Sequence, residues 1–244
     1  MEIMEGEMLP DTTGFQVLET TIHTEQGAIL LLDEHLERMR RSSETLSKKY
    51  NHRCFALTAS KAEIQQKVQS LVKGSPSTTH RVRLLLSNTG GLEIQVTPEP
   101  APATTAAATL PLLVLDSQPT DTDSVFIACK TTHRDIYNQA VRRLAPELQQ
   151  RGAQVLLYNK SGEITETNIA NIAVSVMVGG EMVLVTPRLS SGLLAGTMRA
   201  KMLNEGRVIE GVVTVEQFHE AAQNGWPVLC MNSVRGEFSV KVAV

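Results

Sequence analysis

The sequence predicts an α/β (α+β) chain folded as two domains, and three observations lead to that expectation. Short apolar runs such as RVRLLLS and GLEIQVTP alternate along the chain with stretches whose apolar residues recur at helical spacing. The 244 residues suffice for one large or two modest domains, and 42% hydrophobic with 20% charged residues is an ordinary globular composition. Residues 98–124, PEPAPATTAAATLPLLVLDSQPTDTDS, are rich in Pro, Ala and Thr, which disfavours helix and central strand. The expected division is a small N-terminal α+β domain over 1–115, a linker over 116–124 and a larger C-terminal α/β domain over 125–244. Within the stretch, LPLLVL is expected as one short edge strand.

Taken in order, FQVLETTIHT and AILLLDEHL flank EQG as a hairpin. DEHLERMRRSSETLSKKY then carries Leu36, Met39, Ser43 and Leu46 at helical spacing, with Asp33 as the expected N-cap. A second helix near SKAEIQQKVQSLVKG stops at Gly74. RVRLLLS and GLEIQVTP, joined through Gly90 and Gly91, read as an antiparallel pair. Beyond the linker, VFIACK reads as a short buried strand leading into a helix over about 133–151 that Gly152 ends. AQVLLY, a turn at NKSG, a strand from Ile169, the strand GGEMVLVTP and a helix opening near Gly196 follow. RVIEGVV, a helix at VEQFHEAAQ, PVLCMNS and EFSVKVAV complete the chain.

With 23 Lys+Arg against 26 Asp+Glu, the formal net charge of −3 gives no electrostatic reason to expect nucleic acid or an acidic membrane as partner. The N-terminus MEIMEGEMLP is acidic and lacks the features of a signal or transit peptide, and no apolar run approaches the ~18 residues of a spanning helix. A cytoplasmic protein is expected. Cys54, Cys129 and Cys230 are widely spaced in apolar contexts and read as buried free thiols. The six histidines show no metal-ligand spacing, so no metal is expected, and His35 reads as a packed helix residue.

Several residues draw attention for their chemistry. Lys130 ends an apolar strand where it meets a helix, surroundings that desolvate an amine and favour Schiff-base formation, although a lysine there is commonly a solvated loop residue. Arg38, in HLERM, could equally be a surface arginine paired with Glu34 or Glu37. GLLAGTMRAKML sets small residues and Gly196 before a helix, leaving its first N–H groups as an anion site. SGEITETNIANIAV places two carboxylates, Glu163 and Glu166, ahead of an apolar strand, and Glu163 reads as a solvated turn residue.

Together the HxxR helix, the lysine followed by TTxRxxY, a glutamate five residues before an asparagine, and TP followed by S-G-L-L-x-G-x-x-R resemble the class IV, or fold type IV, pyridoxal-phosphate enzymes. That family includes branched-chain and D-amino-acid aminotransferases and aminodeoxychorismate lyase, and the resemblance spans about residues 15 to 240. It implies the two-domain architecture of that fold, a homodimer, and pyridoxal 5'-phosphate between the small and large domains. Carried over residue by residue, Lys130 matches the lysine that holds the cofactor covalently and then shuttles a proton. Glu166 matches the carboxylate facing the pyridine nitrogen, with Asn171 beside it at the strand entry. Arg38 matches the phosphate arginine, and the N–H groups of Thr197 and Met198 after Gly196 match the phosphate-binding helix start; Ser233 is a looser match that could add a hydroxyl. For substrate carboxylates the candidates are Arg134, Thr21 and Tyr137, with His133 and Thr20 nearby. A structural ion pair with Asp135 or a phosphate-side residue is an equal alternative for Arg134.

Met198 immediately before Arg199 resembles aminodeoxychorismate lyase, and KTTHRDIY resembles the lyase halves fused to aminodeoxychorismate synthase; fungal single-domain lyases are another comparison, since the chain lacks the full DRGxxYGDG opening of bacterial relatives. The expected activity is therefore conversion of 4-amino-4-deoxychorismate into 4-aminobenzoate and pyruvate, a step of folate synthesis. The alternatives are a class IV aminotransferase acting on branched-chain, D-amino or aryl-alkyl amines, and a non-catalytic protein keeping the fold. Only Gly14, Phe15 and Glu19-Thr20-Thr21 match the opening motif of bacterial relatives.

Overall fold

The computed structural model describes residues 14–50, 55–99 and 110–243. The chain divides into two units, one taking residues up to 100 together with Cys129–His133, the other taking residues 101–128 and those from 134 onward.

In the first unit, two-residue alternation makes a strand of Val17–His23, β1, in which Val17, Glu19, Thr21 and His23 are all buried. The chain then turns at Gly27, but AILLL supplies only one bridge, His23 to Ile29, and no second strand. Leu30 N–H bonds the Ile22 carbonyl, and the helix α1 (Leu32–Lys49) starts at once. Its N-cap is Leu31, held at φ 52, and not Asp33, whose exposed carboxylate meets Lys61 at 2.6 Å. The helix begins early because Leu32 belongs to the buried stripe it shares with Leu36, Met39 and Leu46. A capping box of Ser60 and Glu63 starts α2 (Lys61–Val72). β2 (His80–Leu86) and β3 (Leu92–Pro98) form the expected antiparallel pair, giving a sheet of order β1-β2-β3.

The segment Cys129–His133 belongs with this unit. Leu18 N–H donates to the Lys130 carbonyl (2.9 Å), Thr131 bridges Val17, and Thr132 N–H donates to the Gln16 carbonyl (2.9 Å). The expected strand Val125–Cys129 is therefore wrong. Ser124 caps a short helix, α3 (Val125–Ala128), through its hydroxyl and carbonyl, and extended backbone begins only beyond it.

In the second unit β4 (Leu112–Leu115) is not an edge strand. It lies between β12 (Lys241–Val242) and β5 (Gln154–Tyr158), both parallel to it, and this pairing places it in the second unit rather than in a domain ending at 115. The helix expected over about 133–151 is two, α4 (Asp135–Arg143) and α5 (Pro146–Gln150). The cause is Pro146, which forces the preceding residue out of helical geometry. A strand missing from the sequence expectations, β6 (Ile164–Thr167), pairs antiparallel with β5 and completes a sheet of order β12-β4-β5-β6.

The second sheet of this unit has order β11-β10-β7-β8-β9. It is made of β7 (Asn171–Val178), β8 (Glu181–Pro187), β9 (Ile209–Gly211), β10 (Val228–Asn232) and β11 (Gly236–Ser239). Leu113, Leu156 and Ile164 of one sheet pack with Ile172, Val174, Val185 and Cys230 of the other, joined by Phe218 of α7 (Val215–Gln223). On the outer face of the first sheet, Val155 and Leu157 pack with Ile127, Tyr137 and Ala140. On the outer face of the second, Ala173 and Met231 pack with Met202 of α6 (Thr197–Asn204). Cys129 and Cys230 are buried free thiols, raised by burial to about 11 and about 12; Cys54 lies outside the described residues. Residues 100–109 of the Pro-, Ala- and Thr-rich stretch also lie outside them. Among the described residues no helix is long and apolar enough to cross a membrane.

Candidate active site

In the second unit the site grows from an irregularity in β6. Leu156 pairs with Thr167 and Tyr158 with Ile164, so β6 carries one more residue than β5 over this interval. The extra residue sets Thr165 and Glu166 together opposite Leu157. The Thr165 hydroxyl bonds the Leu157 carbonyl (3.2 Å).

Glu166 is 5% exposed and is met by neutral donors. The Tyr137 hydroxyl of α4 donates to its Oε1 (2.7 Å), as does the Leu194 N–H (3.2 Å), and the Asn171 amide donates to Oε2 (3.2 Å). A buried carboxylate needs such partners to offset lost hydration. Burial first, and then the Glu166 charge, push the Tyr137 phenol well above its ordinary range, so it remains a donor. The Arg134 guanidinium lies 4.6 Å over the Tyr137 ring and donates to the Asn168 carbonyl. Of the three substrate candidates, Tyr137 thus contacts Glu166 directly and Arg134 contacts Tyr137. The Thr21 hydroxyl, on β1 of the first unit, is bonded to the Leu30 carbonyl (2.6 Å).

Asn171 joins Glu166 to the start of α6. Its amide also donates to the Leu194 carbonyl (2.9 Å), and a Cβ on Gly196 would stand 1.8 Å from its Oδ1. Gly196 has an ordinary φ of −68, so the close approach, not backbone conformation, requires glycine. As N-cap it brings no side-chain cap to α6. The Thr197 and Ser233 hydroxyls lie 2.5 Å apart there, both buried. Arg199, one turn on, donates to the Pro187 carbonyl (2.7 Å) and pairs with Glu210, tying α6 to β8 and β9.

In the first unit Arg38 is buried, but its partner is neither Glu34 nor Glu37. Its guanidinium forks onto Glu19 (Nε 2.8 Å, Nη2 2.5 Å), and His35 Nδ1 reaches the same carboxylate at 2.6 Å. Burial opposes ionisation of Glu19, yet the Arg38 charge and the Arg38 and His35 hydrogen bonds hold it at about 2. Lys130 is half-buried, its backbone anchored on β1. Glu19 is a partner that sequence reasoning missed, since it lies 19 residues from Arg38 on another element. Glu163 is not the solvated turn residue that the sequence predicts: its side chain is 16% exposed and accepts from Ser191, Arg188 and Asn159.

The sequence pattern of the amino-transferase class IV family matches residues 17–242. This chain belongs to that family. The class IV chain is 34% identical over 224 residues to a Schizosaccharomyces pombe protein carrying the provisional name aminodeoxychorismate lyase, covering 90% of this chain and 86% of that one. It is 29% identical over 209 residues to the aminodeoxychorismate lyase of Saccharomyces cerevisiae, covering 72% of this chain and about half (54%) of that protein. A crystal structure of a Mesorhizobium loti protein, provisionally described as an amino-acid aminotransferase, superposes with a TM-score of 0.75 at 29% identity. It covers 94% of this chain and 100% of that one. Glu166, Asn171 and the start of α6 fall inside the family match.

Proposed function

We propose that this class IV chain is a pyridoxal-phosphate-dependent 4-amino-4-deoxychorismate lyase that forms 4-aminobenzoate and pyruvate. The observation that carries the reading is Glu166, a buried carboxylate met by the neutral donors Tyr137, Leu194 and Asn171, an arrangement suited to a protonated ring nitrogen. The fit extends to the phosphate: α6 opens on Gly196 without a side-chain cap, with the Thr197 and Ser233 hydroxyls beside it. Preference for the lyase over an aminotransferase rests on the 34% likeness to the Schizosaccharomyces pombe protein over 90% of the chain.

In this reading Thr197, Met198 and Ser233 hold the phosphate and Lys130 provides the amine for covalent attachment; Arg38, the phosphate arginine of the resemblance, has Nε and Nη2 engaged by Glu19, so only its remaining donors are offered to the phosphate. When bound, the cofactor supplies an electron sink for the substrate carbon that loses its proton. Glu166 keeps a proton on the ring nitrogen by accepting its hydrogen bond. Lys130 Nζ takes the C4 proton of the substrate; the C3–O bond then breaks, its electrons leave on the oxygen of enolpyruvate, which gains a proton at its methylene carbon to become pyruvate, and the ring becomes aromatic. Aromatisation makes the step irreversible, and no amino acceptor is consumed.

The test mixes purified protein and pyridoxal phosphate with 4-amino-4-deoxychorismate and no keto acid, counting both products per site. Many equimolar turnovers are expected. No products, with amino transfer from another amine to an added keto acid, would replace the lyase by the aminotransferase that the Mesorhizobium loti likeness favours.

A further inference from the structure

Glu163 has no part in the chemistry above, yet it is among the most heavily bonded side chains of the second unit. The turn NKSG explains how it comes to be there. Asn159 Oδ1 accepts from the Ser161 N–H (2.9 Å) and the Glu163 N–H (3.0 Å), closing the turn and fixing the Glu163 backbone. From that position Glu163 Oε2 accepts the Ser191 hydroxyl (2.6 Å) and the Asn159 amide (3.3 Å), and Oε1 accepts from Arg188 (2.9 Å). The Asn159 amide also donates to the Ser191 carbonyl (3.0 Å).

Residues 188–194 therefore form a strap bound at both ends by one short stretch of chain. Glu163 and Asn159 hold its beginning at Arg188 and Ser191. Glu166 and Asn171 hold its end through the N–H and carbonyl of Leu194. Between them Gly192 takes φ +92, and a Cβ there would stand 2.2 Å from Thr122 Cβ, so only glycine fits at this point of the strap. Two residues beyond Leu194 comes Gly196, the N-cap of α6.

We infer that Glu163 is a positioning residue, clamping the strap 188–194 so that Leu194 stays on Glu166 and α6 presents its first turn to a phosphate. The phosphate half of this statement rests on the functional reading above; the clamp does not. Ser191 is the main contact, since the Arg188 pair is half exposed and screened.

The experiment measures amide hydrogen exchange of the cofactor-free protein, then pyridoxal phosphate and pyridoxal affinity by the visible absorbance band. In Glu163→Ala, the Leu194 amide is expected to exchange roughly tenfold or more faster, the worth of one hydrogen bond to a charged group, while β5 and β7 amides keep their rates. Pyridoxal phosphate affinity should fall by a similar factor and pyridoxal affinity by much less. Glu163→Gln, which still accepts from Ser191, should restore most of both, and Ser191→Ala should reproduce the alanine variant. Unchanged Leu194 exchange in Glu163→Ala overturns the clamp whatever the cofactor does. Faster exchange with unaltered pyridoxal phosphate affinity overturns the positioning role. Wild-type protein that takes up no pyridoxal phosphate sinks the functional reading, and the phosphate half with it, while the exchange data still decide the clamp.

Discussion

Glu19→Gln tests the buried ion pair of the first unit. In the native chain the Glu19 carboxyl lies at about 2 against an ordinary 4.5, because Arg38 and His35 stabilise its charge more than burial opposes it. The folded value is depressed, so the linked stability is fully present above about pH 4.5 and is lost as pH falls towards 2. A depression from 4.5 to about 2 is worth about 3 kcal/mol. The same linkage gives a loss of about 1 kcal/mol by pH 4 and about 2 kcal/mol by pH 3. Glutamine keeps the shape and cannot titrate, but it leaves Arg38 buried without its counter-charge, which costs about 3–5 kcal/mol at pH 7. Urea unfolding at pH 7, 5, 4 and 3 on both proteins is the assay, read as unfolding free energies at equal m. The gap between them should narrow by about 1 kcal/mol between pH 7 and 4 and continue to close below. His80, held low by burial and by the neighbouring His23, titrates in both proteins and cancels in the difference. Parallel pH curves would refute the argument, because they would mean that Glu19 gains no charge stabilisation on folding.

Three further outcomes are expected. Glu166→Gln should still bind pyridoxal phosphate, while turnover falls roughly a hundredfold or more; spectroscopic titration and kcat separate the two effects. Gly196→Ala drives a methyl to within 1.8 Å of Asn171 Oδ1, so its thermal midpoint should drop and its pyridoxal phosphate affinity fall, the overpacking alone costing about 1–3 kcal/mol. Thr165→Val removes the hydroxyl that bonds the Leu157 carbonyl at the β6 irregularity, and should lower the urea midpoint by an amount equal to about 1–3 kcal/mol.

Legibility from sequence followed the range of the interactions. Local periodicity found α1, α2 and α7 to within a few residues, because their buried stripes repeat along one element. Glu166 and Asn171 lie on one short stretch whose spacing carries the resemblance, and the fold brings their side chains to 3.2 Å. Partners on other elements were not legible. Arg38 has glutamates one and four positions before it, and only the fold reveals that the buried one is Glu19 on a neighbouring strand. The sequence offers Tyr137 as a substrate candidate, whereas α4 points its hydroxyl at Glu166, 29 residues on. VFIACK has strand composition, but a hydroxyl cap at Ser124 decided in favour of a turn of helix.

The two carboxylates of SGEITETNIANIAV show why composition alone could not assign them. Strict two-residue alternation from Ile164, which faces the core between the two sheets, would turn Glu166 into that same core. A carboxylate there would lie among Leu156, Ile172 and Val174 without a donor, at a cost of several kcal/mol. The extra residue in β6 changes the phase, bringing Glu166 opposite Leu157, whose side chain packs in the same cluster as Tyr137. The donor then exists, and the charge can be buried. Glu163 lies on the other side of Ile164, before the irregularity, so it follows the turn and reaches Ser191 instead. One added residue thus separates a buried carboxylate that accepts from Tyr137 from one that accepts from Ser191 in the loop beside it.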